Sequence, residues 1–193
     1  DQAAAHLNMA VIHSNSGDPE KAEAEYRTAL RLDPQFVPAR INLAMLCDQQ
    51  GKKDEATRWF REVIELEPEL AEAHYSLGLL LAEDETRLAE AAKSLAEAAR
   101  LAPENPRIHY NYGLALQRLE RPDDAERELT AAYKLAPGVP DYLNALAILY
   151  SQQGLWDNAI KCAEELVRRD PGSPQMKALL QYMKQGAAEA NGP

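Results

Sequence analysis

Five prolines punctuate the chain at nearly equal intervals: Pro34, Pro68, Pro103, Pro137 and Pro171 follow one another in steps of 34, 35, 34 and 34. Two further series keep the same spacing. Ala22, Ala56, Ala91, Ala125 and Ala159 advance in steps of 34, 35, 34 and 34, and Ala10, Ala44, Gly78, Gly113 and Ala147 in steps of 34, 34, 35 and 34. The last series takes its longer step one unit later. A single insertion between Gly78 and Ala91, within "AEDETRLAE", accounts for the shift. A period of this length marks a repeat array, in which no unit can bury its apolar face alone and stacking supplies the core.

Between the markers each unit reads as two amphipathic helices of about 14 residues, roughly four turns each. In "INLAMLCDQQGKKDEATRWFREVIELEP", residues 41–68, the first helix is marked by Ile41, Leu43, Ala44 and Leu46. Gly51 ends it, because glycine tolerates the left-handed backbone of a helix stop. Asp54 sits near the start of the second helix, Val63, Ile64 and Leu66 form its apolar face, and Pro68 prevents continuation. In "GDPEKAEAEY" Asp18 is the predicted N-cap and Pro19 the first helical residue. Small residues such as Ala44 and Ala56 let the helices of a pair approach closely. Tyr26, Phe60, Leu95 and Leu129 are expected to fill the gap to the next pair.

These residues resemble the tetratricopeptide repeat, whose pattern asks for a large residue, then Leu, Gly or Ala, an aromatic, Ala, Phe or Tyr, Ala and Pro. The first unit supplies His6, Met9, Ala10, His13, Ala22, Tyr26, Ala29 and Pro34; the fourth supplies His109, Tyr112, Gly113, Leu116, Ala125, Leu129, Ala132 and Pro137. The resemblance covers residues 3 to about 173 and implies an all-α fold, a right-handed superhelical solenoid of antiparallel helix pairs. Five repeats are expected at about 3–36, 37–70, 71–105, 106–139 and 140–173. A capping helix at about 174–185 completes a single domain over 1–185, with a flexible tail at 186–193. The fifth repeat departs most, with Ala163 at the large aromatic site and Arg169 where the others carry Leu32, Leu66, Leu101 and Leu135. It is predicted to face a surface rather than a packed neighbour.

The net charge of −10 argues against nucleic acid as partner, since phosphate binding wants a basic stripe. No apolar run reaches the roughly 18 residues that insertion into a membrane requires. Cys47 and Cys162 are far apart in the chain, outside any metal or haem motif, and read as small hydrophobes. His6, His74 and His109 share one repeat position that the family fills with a packing residue. His6 and His13, seven apart on one helix, lie about 10.5 Å apart along its axis, too far to share an ion. No phosphate-binding glycine loop and no nucleophile in a recognised context occur. The expectation is therefore no metal, no cofactor and no catalysis. Trp156, at the entry to a second helix, is predicted to pack; Trp59 is divided between packing and a contact surface.

In the family, ligand peptides lie along the first helices. That line reads Leu7, Asn8, Val11; Ile41, Asn42, Met45; Tyr75, Ser76, Leu79; Tyr110, Asn111, Leu114; Asn144, Ile148. Asn8, Asn42 and Asn111 each stand at the same distance before their unit's proline, Pro34, Pro68 and Pro137. They resemble the asparagine ladder in the repeats of O-linked N-acetylglucosamine transferase, which Ser76 and Ala145 interrupt here. An amide can donate to and accept from a peptide backbone whatever its side chains; alternatively these amides bind only water or neighbouring helices. The predicted peptide-binding residues are Asn8, Asn42, Met45, Tyr75, Leu79, Tyr110, Asn111, Leu114 and Asn144. The family's carboxylate clamp is excluded, because its Lys, Asn, Asn, Lys, Arg places hold Leu7, Val11, Asn42, Glu72 and Ser76 from the first unit, and Ile41, Met45, Ser76, Arg107 and Asn111 from the second. The expected function is a non-catalytic scaffold for protein–protein interaction, its partner an extended peptide or protein segment. The alternative is an accessory or assembly domain of a larger enzyme or cofactor-carrying protein, an expectation prompted by a chain that begins with Asp. The first repeat lacks a preceding helix over Leu7, Met9 and Ile12, which predicts either further repeats or self-association there.

Overall fold

The computed structural model describes residues 2–190. Ten helices form five antiparallel pairs: α1 (Gln2–Asn15) with α2 (Pro19–Leu32), α3 (Val37–Gln49) with α4 (Lys53–Leu66), α5 (Ala71–Ala82) with α6 (Leu88–Leu101), α7 (Pro106–Arg118) with α8 (Pro122–Leu135), and α9 (Pro140–Gln152) with α10 (Trp156–Arg169). The last helix, α11 (Pro174–Ala190), packs on α10. The chain divides into two compact units at Leu101/Ala102: three pairs in the first, two pairs and α11 in the second.

Four of the five pairs turn through one left-handed residue: Gly17 (φ 74°), Gly51 (75°), Gly154 (72°) and, in the same place, Glu120 (56°). The next backbone N–H reaches back five residues to a helix carbonyl, as from Lys52 to Cys47 and from Leu155 to Tyr150, both at 2.8 Å. Carbonyls that the helix end would leave unpaired are thereby satisfied. The third pair carries the inserted residue and turns differently. A short 3₁₀ segment, Glu85–Arg87, is capped by Asp84, whose side chain accepts from the Thr86 N–H at 2.9 Å. Asp18 caps α2 by accepting from the Lys21 N–H at 3.2 Å, with Pro19 at the first helical position.

Within the first unit the main apolar cluster runs from Ala10, Ala22 and Tyr26 through Leu43, Cys47 and Phe60 to Leu77, Leu81 and Ala91. Smaller clusters sit around Ala3, Ala29 and Ala39 and around Val37, Val63 and Ala73. The second unit has its own clusters, one around Leu116, Leu129, Leu146 and Leu149, the other around Ala147, Ala159, Ala163 and Met183. Leu95 and Leu129 press into their own pairs, a role not expected of them. A Cβ built on Gly78 would lie 2.6 Å from Leu95 Cγ, and one on Gly113 would lie 2.7 Å from Leu129 Cγ.

Two expectations about the C-terminal end are corrected. The fifth pair has a packed neighbour: Ala147, Ala159 and Ala163 are buried in one cluster with Met183 of α11, which is completely enclosed. Arg169, at the departing position, is exposed but held. Its guanidinium stacks over Tyr133 at 5.6 Å and donates to the Tyr133 hydroxyl at 2.8 Å and to the Pro137 carbonyl, tying α10 to the preceding pair. The tail expected from residue 186 is helical as far as Ala190, while 191–193 lie outside the described residues. Gly186 is not a stop. An added Cβ there would fall 2.3 Å from the Trp156 ring, so the glycine is a notch that lets α11 close over Trp156. Ala187, Ala188 and Ala190 then continue the helix by propensity.

Candidate peptide-binding surface

On the first helices of the first unit, Asn8 and Met45 are exposed, and Asn42, Tyr75 and Leu79 are half-buried. They fall on α1, α3 and α5, the middle position of each trio exposing an amide or, at Ser76, a hydroxyl. Leu7, Val11 and Ile41 pack partly on the main cluster from the same side, so each apolar residue has one face in the core and one in water. Met45 remains 47% exposed although it lies between buried Ala44 and Leu46. Burying such a residue beneath a ligand removes apolar area from water, which is the main source of binding energy available at an uncharged surface.

In the second unit α7 and α9 carry Tyr110, Asn111 and Leu114, all half-buried, and Asn144, which is exposed. Tyr110 stacks against Tyr142 with ring centroids 5.0 Å apart and planes tilted by 43°. Burial, and then the Asp141 carboxylate, push the Tyr110 hydroxyl above its ordinary pKa, so it stays a neutral donor at physiological pH. Reasoning by repeat position missed Tyr142, because it occupies a different place in its unit from Tyr110 and no period connects the two. Asn144 does not extend the asparagine series. It lines a slot of about 190 Å³ between α9 and α11, together with Asp141, Leu166, Met176 and Leu179.

Asn42 and Asn111 are held by their own helices. Asn42 Nδ2 donates to the Pro38 carbonyl at 2.8 Å, and Asn111 Nδ2 to the Arg107 carbonyl at 2.9 Å. Each bond runs back one helical turn, so both amides are fixed in one orientation, with one N–H of each engaged locally. The histidines at the shared repeat position also bond within their pairs. His6 Nδ1 meets Glu25 Oε2 at 2.5 Å and His109 Nδ1 meets Glu128 Oε2 at 2.7 Å, each bond joining the two helices of its pair. The Nε2 atoms of His74 and His109 donate to the carbonyls of Pro68 and Pro103, at 2.8 and 2.9 Å. The available signal for the carboxylate pairs was that His and Glu recur at one and the same separation in the first and fourth units, as His6 with Glu25 and His109 with Glu128.

Charge is concentrated on the second helices. Arg27 pairs with Glu55 at 2.7 Å, Lys52 with Glu23 at 3.0 Å, and Arg61 with Glu90, each linking one helix pair to the next. Trp59 belongs to this surface: it is half-buried against the main cluster, with the Arg27 guanidinium 6.0 Å above its ring. Both cysteines are free thiols. Burial, and then the Glu126 carboxylate, push the Cys162 thiol above its usual range, consistent with an inert packing role. Among the described residues no group of three or more His, Cys, Asp and Glu could hold a metal ion, and no helix is long and apolar enough to cross a membrane.

Family models of the tetratricopeptide repeat match residues 15–82, 80–140 and 110–174. No curated protein matches the sequence. Solved structures share the fold at low identity. MamA from Desulfovibrio magneticus RS-1 is 22% identical over 88% of this chain and 97% of its own, with a TM-score of 0.77. YrrB, described as a TPR protein with an unusual peptide-binding site, is 20% identical over 93% of this chain and 90% of its own, with a TM-score of 0.78. A tetratricopeptide repeat protein from Parabacteroides merdae is 18% identical over 98% of this chain and 76% of its own, with a TM-score of 0.84. The period, the helix pairing and the unbroken match from residue 15 to residue 174 agree, and the chain belongs to the tetratricopeptide repeat family.

Proposed function

We propose that this interaction scaffold is non-catalytic and binds an extended, mainly uncharged peptide segment along its first helices. The supporting observation is the division of chemistry between the helices. The second helices carry the ion pairs that link successive repeats, while the first helices leave apolar groups part-exposed beside amides of set orientation. In this reading Asn42, one N–H of whose Nδ2 is committed to Pro38, presents its oxygen to a peptide N–H, and Asn111 lies at the corresponding place on α7. Tyr75, Leu79 and Met45 on one unit, and Tyr110 and Leu114 on the other, take apolar side chains; Asn8 belongs to the first set and Asn144 to the second. The structure of YrrB carries a peptide-binding site on the same fold, which supports the class of ligand but not its sequence.

The test begins with peptides selected from a random library against the whole chain, with affinities then measured for variants. One hydrogen bond contributes about 0.5–1.5 kcal/mol, so Asn42→Ala should weaken binding about two- to tenfold. Replacing Tyr75 and Tyr110 together by Ala should cost more, because aromatic anchors carry much of an interface's energy. Added salt should change the affinity little. If the selected peptides bind these variants normally and are lost on Arg31→Glu or Lys134→Glu on the second helices, the first-helix surface is the wrong site.

A further inference from the structure

Trp59 occupies a position that no other repeat gives to an aromatic. It follows the recurring alanine of its unit, Ala56, by three residues, where the other units carry Glu25, Ser94, Glu128 and Cys162. Its Nε1 is buried and has no hydrogen-bond partner among the described residues, although a packed tryptophan ordinarily finds one. Bulk alone would be met by an aromatic without that N–H. The indole lines a groove of about 560 Å³ where α2 meets α4, together with Ala24, Arg27, Thr28, Leu30 and Arg31. The charged residues of this lining are both arginines. The carboxylates one turn to either side of Trp59 are engaged, Glu55 by Arg27 at 2.7 Å and Glu62 by Arg40 at 3.1 Å. Arg31 is exposed and donates to the Thr28 hydroxyl at 2.8 Å; Arg58, next to Trp59, is exposed as well. Neither makes an ion pair among the described residues. The groove at the corresponding place on α8 is different: it carries Asp123 and Glu126 beside Arg127 and Lys134, and no aromatic.

We propose that this groove on the second helices is a separate interaction site, for an acidic segment of a partner protein. An aliphatic or aromatic side chain of that segment lies against Trp59, and a neighbouring carboxylate pairs with Arg31. Three features select this occupant. The walls at Ala24, Leu30 and Trp59 offer apolar area to remove from water, which an apolar side chain exploits. Arg31 gives up only a bond to a neutral hydroxyl when it turns to a carboxylate, and a guanidinium can grip a carboxylate through two parallel N–H bonds. Arg58 adds a second positive charge beside the indole. A basic segment, which a chain of net charge −10 attracts in general, would meet only like charge from the walls of this groove. Tryptophan and arginine are also the residue types that carry most energy in protein interfaces. Nothing in the repeat pattern requires either the indole or the all-basic lining, since the groove on α8 has neither.

The experiment follows the indole N–H signals of the isotope-labelled whole chain by NMR. The two tryptophans, Trp59 and Trp156, give one signal each, and Trp59→Phe tells them apart. The probe is a synthetic peptide in which leucine and phenylalanine stand among aspartates and glutamates, compared with the same peptide carrying lysine in place of every acid. The acidic peptide should move the Trp59 signal, leave that of Trp156 in place, and bind at least tenfold tighter than the lysine form. Arg31→Glu should weaken it at least tenfold. Lys134→Glu, the same charge change at the same repeat position of α8, should leave the affinity unaltered. Both substitutions are at exposed positions, and circular dichroism checks that helix content is retained. A Trp59 signal unmoved by millimolar acidic peptide overturns the proposal. So does an equal response to the lysine form, or an affinity that Arg31→Glu leaves intact.

Discussion

Glu120 holds the left-handed conformation that Gly17, Gly51 and Gly154 adopt at the same place in their pairs. For a residue with a Cβ that conformation costs about 1–2 kcal/mol, and the freer unfolded chain of a glycine offsets part of the gain from replacing it. Glu120 is exposed, so nothing else depends on its side chain to the same degree. Glu120→Gly should therefore raise stability by about 0.5–1 kcal/mol. Urea denaturation should show the midpoint rise with no change in slope, and a lowered midpoint would mean that the glutamate contributes more than its backbone costs. The bonded histidines belong to the same scale. A carboxylate from the second helix of the pair fixes His6 and His109 at a position that the family pattern reserves for packing, so polar pairing replaces bulk there.

Each helix pair is closed by a small residue on the first helix and a larger or fitting one on the second, and the two choices are coupled. Gly78 and Gly113 face Leu95 and Leu129, whose branched Cγ leaves no room for a methyl; Ala10 and Ala44 occur in the pairs whose second helices carry Tyr26 and Phe60 instead. Leu95 is fully enclosed and cannot withdraw. Overpacking costs about 1–3 kcal/mol, partly offset by about 1 kcal/mol of helix propensity, so Gly78→Ala should destabilise by up to about 2 kcal/mol. In a Leu95→Ala background the same change should be neutral or stabilising. Additivity in that double-mutant cycle would show that the contact does not limit the pair. The helices themselves, their order and their turns were legible in the sequence, because proline, glycine and alanine recur at positions where backbone geometry or close approach allows little else. Less legible was anything decided by a contact between different repeat positions: Tyr110 on Tyr142, Arg169 on Tyr133, or Gly186 beneath Trp156. A period reports what each unit has in common, whereas these contacts arise from how units differ. The asparagine series was readable as a series, yet the local bonds that orient Asn42 and Asn111 depend on rotamers that spacing does not specify.

A repeat array has no long-range core, so its stability is the sum of what each pair contributes and what neighbouring pairs share. The chain divides into compact units at Leu101/Ala102, and each unit has apolar clusters of its own. The first has three pairs, a length at which stacked repeats become stable by themselves. The second has only two pairs, and α11 supplies what a third would: its Met183 is completely enclosed in a cluster with Ala147, Ala159 and Ala163, all fully buried. Residues 1–101 and 102–193, prepared separately, should therefore each be helical and unfold cooperatively. A version of the second half ending at Ser173 should lose most of its stability, since burying one leucine alone contributes about 1.5–3 kcal/mol. Circular dichroism during urea titration reads all three. If the truncated half melts like the complete one, α11 is an appendage rather than a cap. If the complete half is unfolded by itself, its clusters are insufficient and the boundary at Leu101 does not separate independently stable units.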